Sequence, residues 1–259
     1  MKCLIAIAVY DTKENERTAY TVHTYNSLKH VIDPKTTRII FIDNGSCEET
    51  KTFLRSIKAK NVSVITNETN IGTAEAINLA LRTRKQGEYC VKLDNDVYFH
   101  ESWVEKLVKC FELNPNLGIL GLKRKDIPNS PYSEQYPTKL EFVDGPDHFI
   151  NDPWLTIEIC DDIIGTCTMF NPKLLDKIGY LYQPGIYGFD DVLMCARSKL
   201  ANYINAFFPS VEIDHMDNGL NPYTEWKKRY AGLHLSKISG ILEDYASGER
   251  DIYYNPFKE

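Results

Sequence analysis

The chain has 259 residues and a net formal charge of −6 at neutral pH, with 43% apolar and 25% charged residues. This composition excludes an intrinsically disordered chain and is typical of a globular protein with a sizeable core. No apolar run approaches the ~18–20 residues that a membrane-spanning helix needs. The net negative charge also argues against broad non-specific binding of nucleic acid.

The seven cysteines are scattered along the chain, odd in number and without any C-x-x-C pair. This pattern predicts neither a disulfide framework nor a zinc site, so we expect a reducing, cytoplasmic compartment. The apolar N-terminal run Cys3–Tyr10 is followed at once by Asp11 and Lys13, without a small-residue cleavage site. We therefore expect a buried first strand there, rather than a signal peptide.

Short apolar runs alternate with amphipathic stretches through the first part of the chain. Strands are predicted at Cys3–Tyr10, Arg38–Asp43, Val62–Thr66 and Tyr89–Leu93. Helices are predicted at residues 14–32, at Glu48–Lys58, from Thr73 as the N-cap, and at Glu101–Leu113. Strands that alternate with helices predict βαβ units and an α/β fold, with a mostly parallel central sheet flanked by helices.

The second half of the chain has a different character. Residues 123–160 are rich in proline, which predicts a long loop, and their aromatic content favours a loop that is ordered or becomes ordered on binding. An apolar stretch at Ile163–Phe170 follows it, and then helices are expected at Pro172–Ile178 and Asp190–Leu200. The last expected elements are a strand at Tyr203–Phe208, a polar turn at Asp214–Gly219 and one long helix from about Tyr223 to Tyr245.

Polar residues close three of the predicted strands, at Tyr10-Asp11, Asp43–Ser46 and Asp94–Asp96. In parallel sheets these strand ends share one edge, where ligands bind. Asp94 and Asp96 are both ionised at neutral pH and repel each other, so a positive group should lie between them. Mg²⁺ or Mn²⁺ is the natural partner, and two exposed turn residues are the alternative interpretation.

Three further segments are candidate sites. Asp190-Asp191 opens a predicted helix, where it either caps the helix or supplies a general base that Arg197 tunes or orients. His215 is either a metal ligand or a surface or core histidine. Asn70-Ile71-Gly72 predicts a tight turn before a helix whose free N–H groups bind an anion or a sugar, or simply a turn and cap.

Six segments, taken in order, resemble the motifs of the GT-A glycosyltransferases, in particular the family-two enzymes that use nucleotide-sugar donors. They are Ala8-Val9-Tyr10, Ile42–Ser46, Asn70-Ile71-Gly72, Leu93–Asp96, Ile164–Phe170, and Gly188–Val192 with Arg197. Leu93–Asp96 is similar to the D-x-D motif of that family. Two departures are Asp190, where Glu is more common, and Leu193, where a further Asp is common.

The resemblance implies a role for each matching residue. The implied donor-binding residues are Val9, Tyr10, Asp43, Asn70, Gly72 and Asp94. The implied metal ligands, for Mn²⁺ or Mg²⁺, are Asp94, Asp96 and His215. Asp191 is the implied general base, and Asp190 supports it.

The function implied by the resemblance is metal-dependent transfer of a hexosyl or pentosyl group from a nucleotide-sugar donor, most simply a UDP-sugar, to an acceptor hydroxyl. Inversion at the anomeric carbon is favoured, although retaining enzymes share this fold. The implied organisation is one GT-A domain over residues 1–220, with a nucleotide-binding half (1–100) and an acceptor-side half (101–220). Residues 221–259 would form a C-terminal helix and tail packed on it.

The acceptor is left open between a glycan, a lipid-linked glycan and a modified nucleobase in DNA. Tyr136 and Trp154 are candidate stacking platforms for it. The cluster Trp226–Tyr230 would contact a membrane, a lipid-linked acceptor or nucleic acid, or it would pack its apolar side and leave Lys227–Arg229 solvated. A non-catalytic sugar- or nucleotide-binding homologue is the alternative function. A sugar nucleotidyltransferase is disfavoured, because no Gly-rich loop follows the first strand.

Overall fold

The computed structural model describes residues 2–126, 139–142, 156–217, 219, 222–232 and 234–258. Within them, the strands are β1 (Cys3–Val9), β2 (Thr37–Asn44), β3 (Val62–Asn67), β4 (Tyr89–Leu93), β5 (Val97–Tyr98), β6 (Leu117–Arg124), β7 (Lys139–Phe142), β8 (Thr156–Ile159), β9 (Cys167–Phe170) and β10 (Ile204–His215). The helices are α1 (Thr18–Val31), α2 (Glu48–Ser56), α3 (Thr73–Leu81), α4 (Val104–Leu113), α5 (Pro172–Ile178), α6 (Asp190–Leu200), α7 (Pro222–Gly232) and α8 (Leu235–Ser247).

The described strands form one sheet in the order β3-β2-β1-β4-β9-β6-β10-β8-β7, and β5 pairs with β10. The first four strands are parallel, as their alternation with helices predicts. Strand β9 then runs antiparallel to both β4 and β6, and β8 is antiparallel to β10. The sheet as a whole is therefore mixed. Among the described residues, no helix lies between β6 and β9, and β7, β8 and β9 form antiparallel pairs. Helices α5 and α6 precede β10, which pairs in parallel with β6.

Two apolar layers cover the sheet. Alternate residues of β1 point to opposite faces, so that Ile5 and Ile7 join one cluster while Leu4 and Ala6 join the other. Helices α1, α2 and α4 pack on the first face, and α3, α5 and α6 on the second. This burial on both faces explains why β1 has a nearly continuous apolar sequence.

Several predicted boundaries are wrong near the C-terminal end. The single long helix is in fact two helices, α7 and α8, which are separated after Gly232, a residue with low helix propensity. Strand β10 continues to His215 because Asp214 and His215 pair with Tyr98 and Val97 of β5. The predicted polar turn at Asp214 therefore begins later, beyond the strand.

The C-terminal segment packs on the second half of the sheet domain. Ile238, Ile241 and Tyr245 of α8 form a small cluster with Leu193 of α6. The tail then reaches Gly179, whose neighbour Tyr180 donates its N–H to the Tyr254 carbonyl at 2.8 Å. Among the described residues, no helix is long and apolar enough to cross a membrane. All seven cysteines are described, and all carry free thiols.

A substitution at Gly179 would measure how much the packing of the C-terminal tail contributes to stability. The φ of Gly179 is +76°, and a Cβ there would collide with the backbone carbonyl of Tyr254. We expect Gly179→Ala to lower the free energy of unfolding by about 2–4 kcal/mol in urea denaturation, from backbone strain together with overpacking. The control Gly248→Ala has a similar φ of +80° but open space around the new Cβ. The free energy of unfolding of Gly248→Ala should fall by only about 1–2 kcal/mol. An equal fall in both variants would contradict the close contact between Gly179 and Tyr254.

Candidate active site

An open cleft of about 450 Å³ lies at the carboxyl ends of β1 and β4, opposite the N-terminus of α6. The predicted convergence of polar strand ends is confirmed there, since Asn95 donates to Asp11 Oδ1 at 2.8 Å and Ser46 donates to the Val9 carbonyl at 3.2 Å. The sequence-predicted site residues that line the cleft are Val9, Tyr10, Asn70, Asp94, Asp96, Asp190, Asp191 and His215.

Two of the predicted donor residues do not line the cleft. Asp43 is 1% exposed and accepts the N–H of Ser46 at 2.8 Å, so it shapes the turn after β2. Gly72, with φ +96°, is the N-cap of α3, in the place predicted for Thr73. Glycine takes this position because a Cβ would meet the backbone of Ile186 at 3.0 Å.

The expectation of free N–H groups at the start of α3 is wrong for its first two residues. The N–H of Thr73 donates to the Ile186 carbonyl at 3.2 Å, and that of Ala74 donates to Gln183 Oε1 at 3.1 Å. A segment far along the chain thus satisfies these donors, which local sequence cannot reveal.

Asp96 is held between two cationic or potentially cationic side chains. Arg17 Nη2 donates to Asp96 Oδ2 at 2.6 Å, and His215 Nε2 lies 3.3 Å from the same oxygen. Burial opposes ionisation of Asp96, but His215 and Arg17 outweigh it and hold the pKa of Asp96 below its usual range. Arg17 was not among the predicted site residues.

Lys92 connects the two acidic pairs of the cleft. Its Nζ donates to the Gly165 carbonyl at 2.8 Å and lies 3.3 Å from Asp190 Oδ2 and 3.5 Å from Asp94 Oδ1. Burial opposes the charge on Lys92, but Asp190 and Asp94 raise the pKa of its ammonium group overall. Part of the positive charge expected beside the Asp94–Asp96 pair is therefore supplied by the chain itself.

Asp191 stands at the first turn of α6, and its carboxylate accepts two backbone N–H groups. Gly165 donates to Oδ2 at 3.0 Å, and Val192 donates to Oδ1 at 2.9 Å. Burial and the charge of Asp190 raise the pKa of Asp191 to about 6, against the opposing effect of Lys92. A carboxylate with this pKa is suited to accept a proton near neutral pH.

The turn that presents Asp190 and Asp191 is strained. Phe189 has φ +69°, a left-handed value that is uncommon for a residue with a side chain, and Gly188 before it has φ +89°. Strain of this kind clusters at functional sites.

The expectation that Arg197 tunes or orients Asp191 is wrong. Arg197 is fully buried and donates to the carbonyls of Ile178, Tyr180 and Ile252. It thereby fastens α6 to the C-terminal tail, and Lys92 takes the place beside Asp190 instead.

Helix α7 supplies an aromatic wall to the cleft. Trp226 stacks on Tyr223 with ring centroids 5.3 Å apart, and it also packs against Tyr10 at 5.8 Å and Tyr187 at 5.7 Å. Lys227 lines the same cleft and donates to Asp217 at 2.9 Å, so the expectation that Lys227 belongs to a solvated face is wrong. The wall was missed because Tyr187 and Tyr223 are isolated aromatics without a recognisable motif.

The acidic and imidazole side chains suit a divalent cation chemically. Asp96 Oδ1 is buried and has no hydrogen-bond partner among the described residues, which leaves a costly unsatisfied acceptor. Carboxylates of Asp94 and Asp96 with the His215 imidazole form a donor set typical of Mn²⁺ or Mg²⁺ sites. In the described part of the chain, however, no three acidic, histidine or cysteine side chains already form a cluster able to hold a metal ion.

Comparison with known proteins places this chain in a family. The sequence model of glycosyl transferase family 2 matches residues 6–179, which include Asp94 and Asp96. The chain belongs to this family. Over 160 residues it is 26% identical to an "Uncharacterized glycosyltransferase" of Haemophilus influenzae, an alignment that covers 60% of the chain and 46% of the relative.

Solved structures confirm the GT-A fold. A mannosyltransferase of Pyrobaculum calidifontis in complex with GDP-Man and Mn²⁺ superposes with a TM-score of 0.62 at 16% identity, covering 87% of this chain and 59% of that one. GalNAc-T7 with UDP, GalNAc and Mn²⁺ also gives 0.62, at 15% identity and with 85% and 45% coverage. The chain thus spans about half the length of these relatives. The predicted family and fold are confirmed.

The candidate acceptor platforms Tyr136 and Trp154 lie outside the described residues. The prediction of a long loop over residues 123–160 is wrong for the described parts of that range, because β6 extends to Arg124 and the segments Lys139–Phe142 and Thr156–Ile159 pair as β7 and β8. The predicted binding role of Tyr136, Trp154 and this segment stays a prediction.

Proposed function

We propose that the protein transfers a sugar from a nucleotide-sugar donor to an acceptor hydroxyl, with a divalent cation and with Asp191 as the general base. One observation carries this proposal. Asp191, whose raised pKa suits it to accept a proton, lines the same cleft as Asp94 and Asp96 at the end of β4. Acid–base catalysis and the binding of charge are two different roles, and they require two sets of carboxylates with different surroundings.

The charges of the cleft support a donor that carries a diphosphate and a metal ion together. Among its described lining residues, four are cationic (Arg17, Lys92, Arg124, Lys227) and four are carboxylates (Asp94, Asp96, Asp190, Asp191). A divalent cation and a diphosphate bring opposite charges that largely cancel. The cleft can therefore accept both with little change in its net charge.

The chemistry is a single displacement. The Asp191 carboxylate takes the proton of the acceptor hydroxyl as that oxygen forms a bond to the anomeric carbon. The bond from this carbon to the diphosphate oxygen breaks, and the diphosphate leaves with the electron pair, which inverts the configuration. A cation held by Asp94, Asp96 and His215 would supply positive charge against the leaving group. The chain aligns the two substrates and so removes the entropic cost of their encounter.

The relatives that bind GDP-Man or UDP support a nucleoside diphosphate as the donor's leaving group, and we propose a UDP-sugar first. Tyr10 and the aromatic wall of Trp226, Tyr223 and Tyr187 offer apolar faces for the base or for a sugar ring. We propose that residues 1–220 form the catalytic domain, and that the segment at 221–259 completes its cleft through α7.

Binding of nucleotides tests the donor site directly. We expect a panel of UDP, GDP, CMP and dTDP, each with Mn²⁺, Mg²⁺ or EDTA, to give a thermal shift with one nucleoside diphosphate that EDTA abolishes. At 100 times its Kd that ligand should stabilise the fold by about 2.7 kcal/mol. Asp96→Asn should lose the metal-dependent shift, whereas Asp162→Asn, a half-buried carboxylate outside the cleft, should keep it. No shift with any nucleotide would contradict the proposed donor site.

A further inference from the structure

Arg17 joins two carboxylates that belong to different parts of the chain. Its Nη2 donates to Asp96 Oδ2 at 2.6 Å, after β4, and its Nη1 donates to Asp217 Oδ2 at 2.8 Å, after β10. Arg17 is only 3% exposed, and both carboxylate side chains are similarly buried. Three buried charges in this arrangement compensate one another, and removal of the cation would leave two anions facing each other.

The same guanidinium also contacts helix α7. Its central carbon lies 4.5 Å from the centroid of the Tyr223 ring, within the range of a cation–π interaction. Asp217, the second partner of Arg17, accepts a further bond at 2.9 Å from Lys227 of α7. Arg17 therefore reaches α7 twice, directly through Tyr223 and indirectly through Asp217 and Lys227.

Helix α7 contributes three side chains to the lining of the cleft, Tyr223, Trp226 and Lys227. Near the cleft, Trp226 of α7 also packs against the rings of Tyr10 and Tyr187. Ring packing of this kind contributes less to stability than a buried ion pair, whose loss leaves an uncompensated charge. The Arg17 network is thus a stronger link between α7 and the Asp94–Asp96 turn than this ring packing.

We propose that Arg17 is a positioning residue that docks α7 onto the acidic strand end and so assembles the donor cleft. The inference rests on the proposed function for its interpretation of the cleft as a donor site. Arg17 acts through Asp217 and Tyr223 on the aromatic wall, and through Asp96 on the carboxylate that faces the donor's charge. Only an arginine suits this position, because a planar guanidinium can serve two carboxylates and one ring at once.

Amide hydrogen exchange of the protein without nucleotide tests the docking. We expect Arg17→Met to lower the protection of residues 222–232 by about tenfold or more, while the strands β1 and β2 keep theirs. Arg17→Lys should recover part of the protection, since an ammonium group can replace one of the two carboxylate contacts. The control is Arg38→Met, which breaks another arginine–carboxylate pair, with Glu88 at 2.7 Å, outside the cleft.

Two outcomes would overturn the proposal: unchanged protection of residues 222–232 in Arg17→Met, or a loss spread evenly over the whole chain. If Arg17→Met fails to fold, Asp217→Asn decides, because it weakens the link to α7 while the Arg17–Asp96 pair stays. It should expose residues 222–232 selectively.

A second readout is the Kd of UDP and of GDP with Mn²⁺ by calorimetry. We expect it to rise about tenfold in Arg17→Met and in Asp217→Asn, and to stay unchanged in Arg38→Met. Failure of the wild-type protein to bind any nucleotide would count against the proposed function. The exchange experiment would still decide the role of Arg17, because it needs no ligand.

Discussion

Asp191→Asn should lower the rate of sugar transfer by about 10²–10⁴-fold, the usual contribution of a positioned general base. The amide keeps the size of the carboxylate and can still accept the N–H of Gly165, but it cannot take a proton from the acceptor. The Kd of the nucleotide should stay within about threefold, because Asp191 belongs to α6 and not to the strand ends. The measurement is release of nucleoside diphosphate from the donor that the nucleotide panel identifies.

The pH dependence gives an independent check on the same residue. The pKa of Asp191 is raised to about 6 by burial and by the charge of Asp190. Because the ionised form is the active base, kcat/KM should rise with pH through about 6 and then level off. Asp162→Asn, outside the cleft, should leave both the rate and this limb unchanged. Turnover within tenfold of wild type in Asp191→Asn would show that another group accepts the proton.

Local patterns were sufficient to predict the first four strands and most of the helices. Strand β4 and helices α5 and α6 have the predicted bounds, because apolar periodicity and the Asn171-Pro172 start of α5 are local signals. Strand β5 was missed, since two residues carry no period, and β9 was seen only as an apolar stretch. Its insertion between β4 and β6 depends on tertiary pairing alone.

The candidate site likewise contains residues that local sequence predicts and residues that it does not. Carboxylates that end strands or begin helices were predictable, because their positions follow from the secondary structure around them. Their cationic partners were not. Arg17 precedes α1 and is 79 positions from Asp96, and Lys92 lies within an apolar strand where its charge has no local explanation. Both are recognised only when the fold brings the carboxylates to them.

Lys92→Met should lower the free energy of unfolding by about 3–5 kcal/mol in urea denaturation. Lys92 is 5% exposed, and its loss leaves Asp190 and Asp94 without the cation that lies 3.3 and 3.5 Å from them. Methionine fills a similar volume, so the effect reports charge rather than a cavity. Lys106→Met breaks a surface pair with Glu101 and should cost no more than about 1 kcal/mol.

The same substitution should also change catalysis in a predictable direction. Lys92 lowers the pKa of Asp191, against burial and the charge of Asp190. Without Lys92 the acid limb of kcat/KM should therefore move to higher pH, while the same limb in Lys106→Met stays in place. If Lys92→Met is destabilised but the acid limb of its kcat/KM does not move, then Lys92 contributes to folding alone. A shifted limb would show that one buried lysine both holds the two acidic pairs together and sets the pH at which the base becomes active.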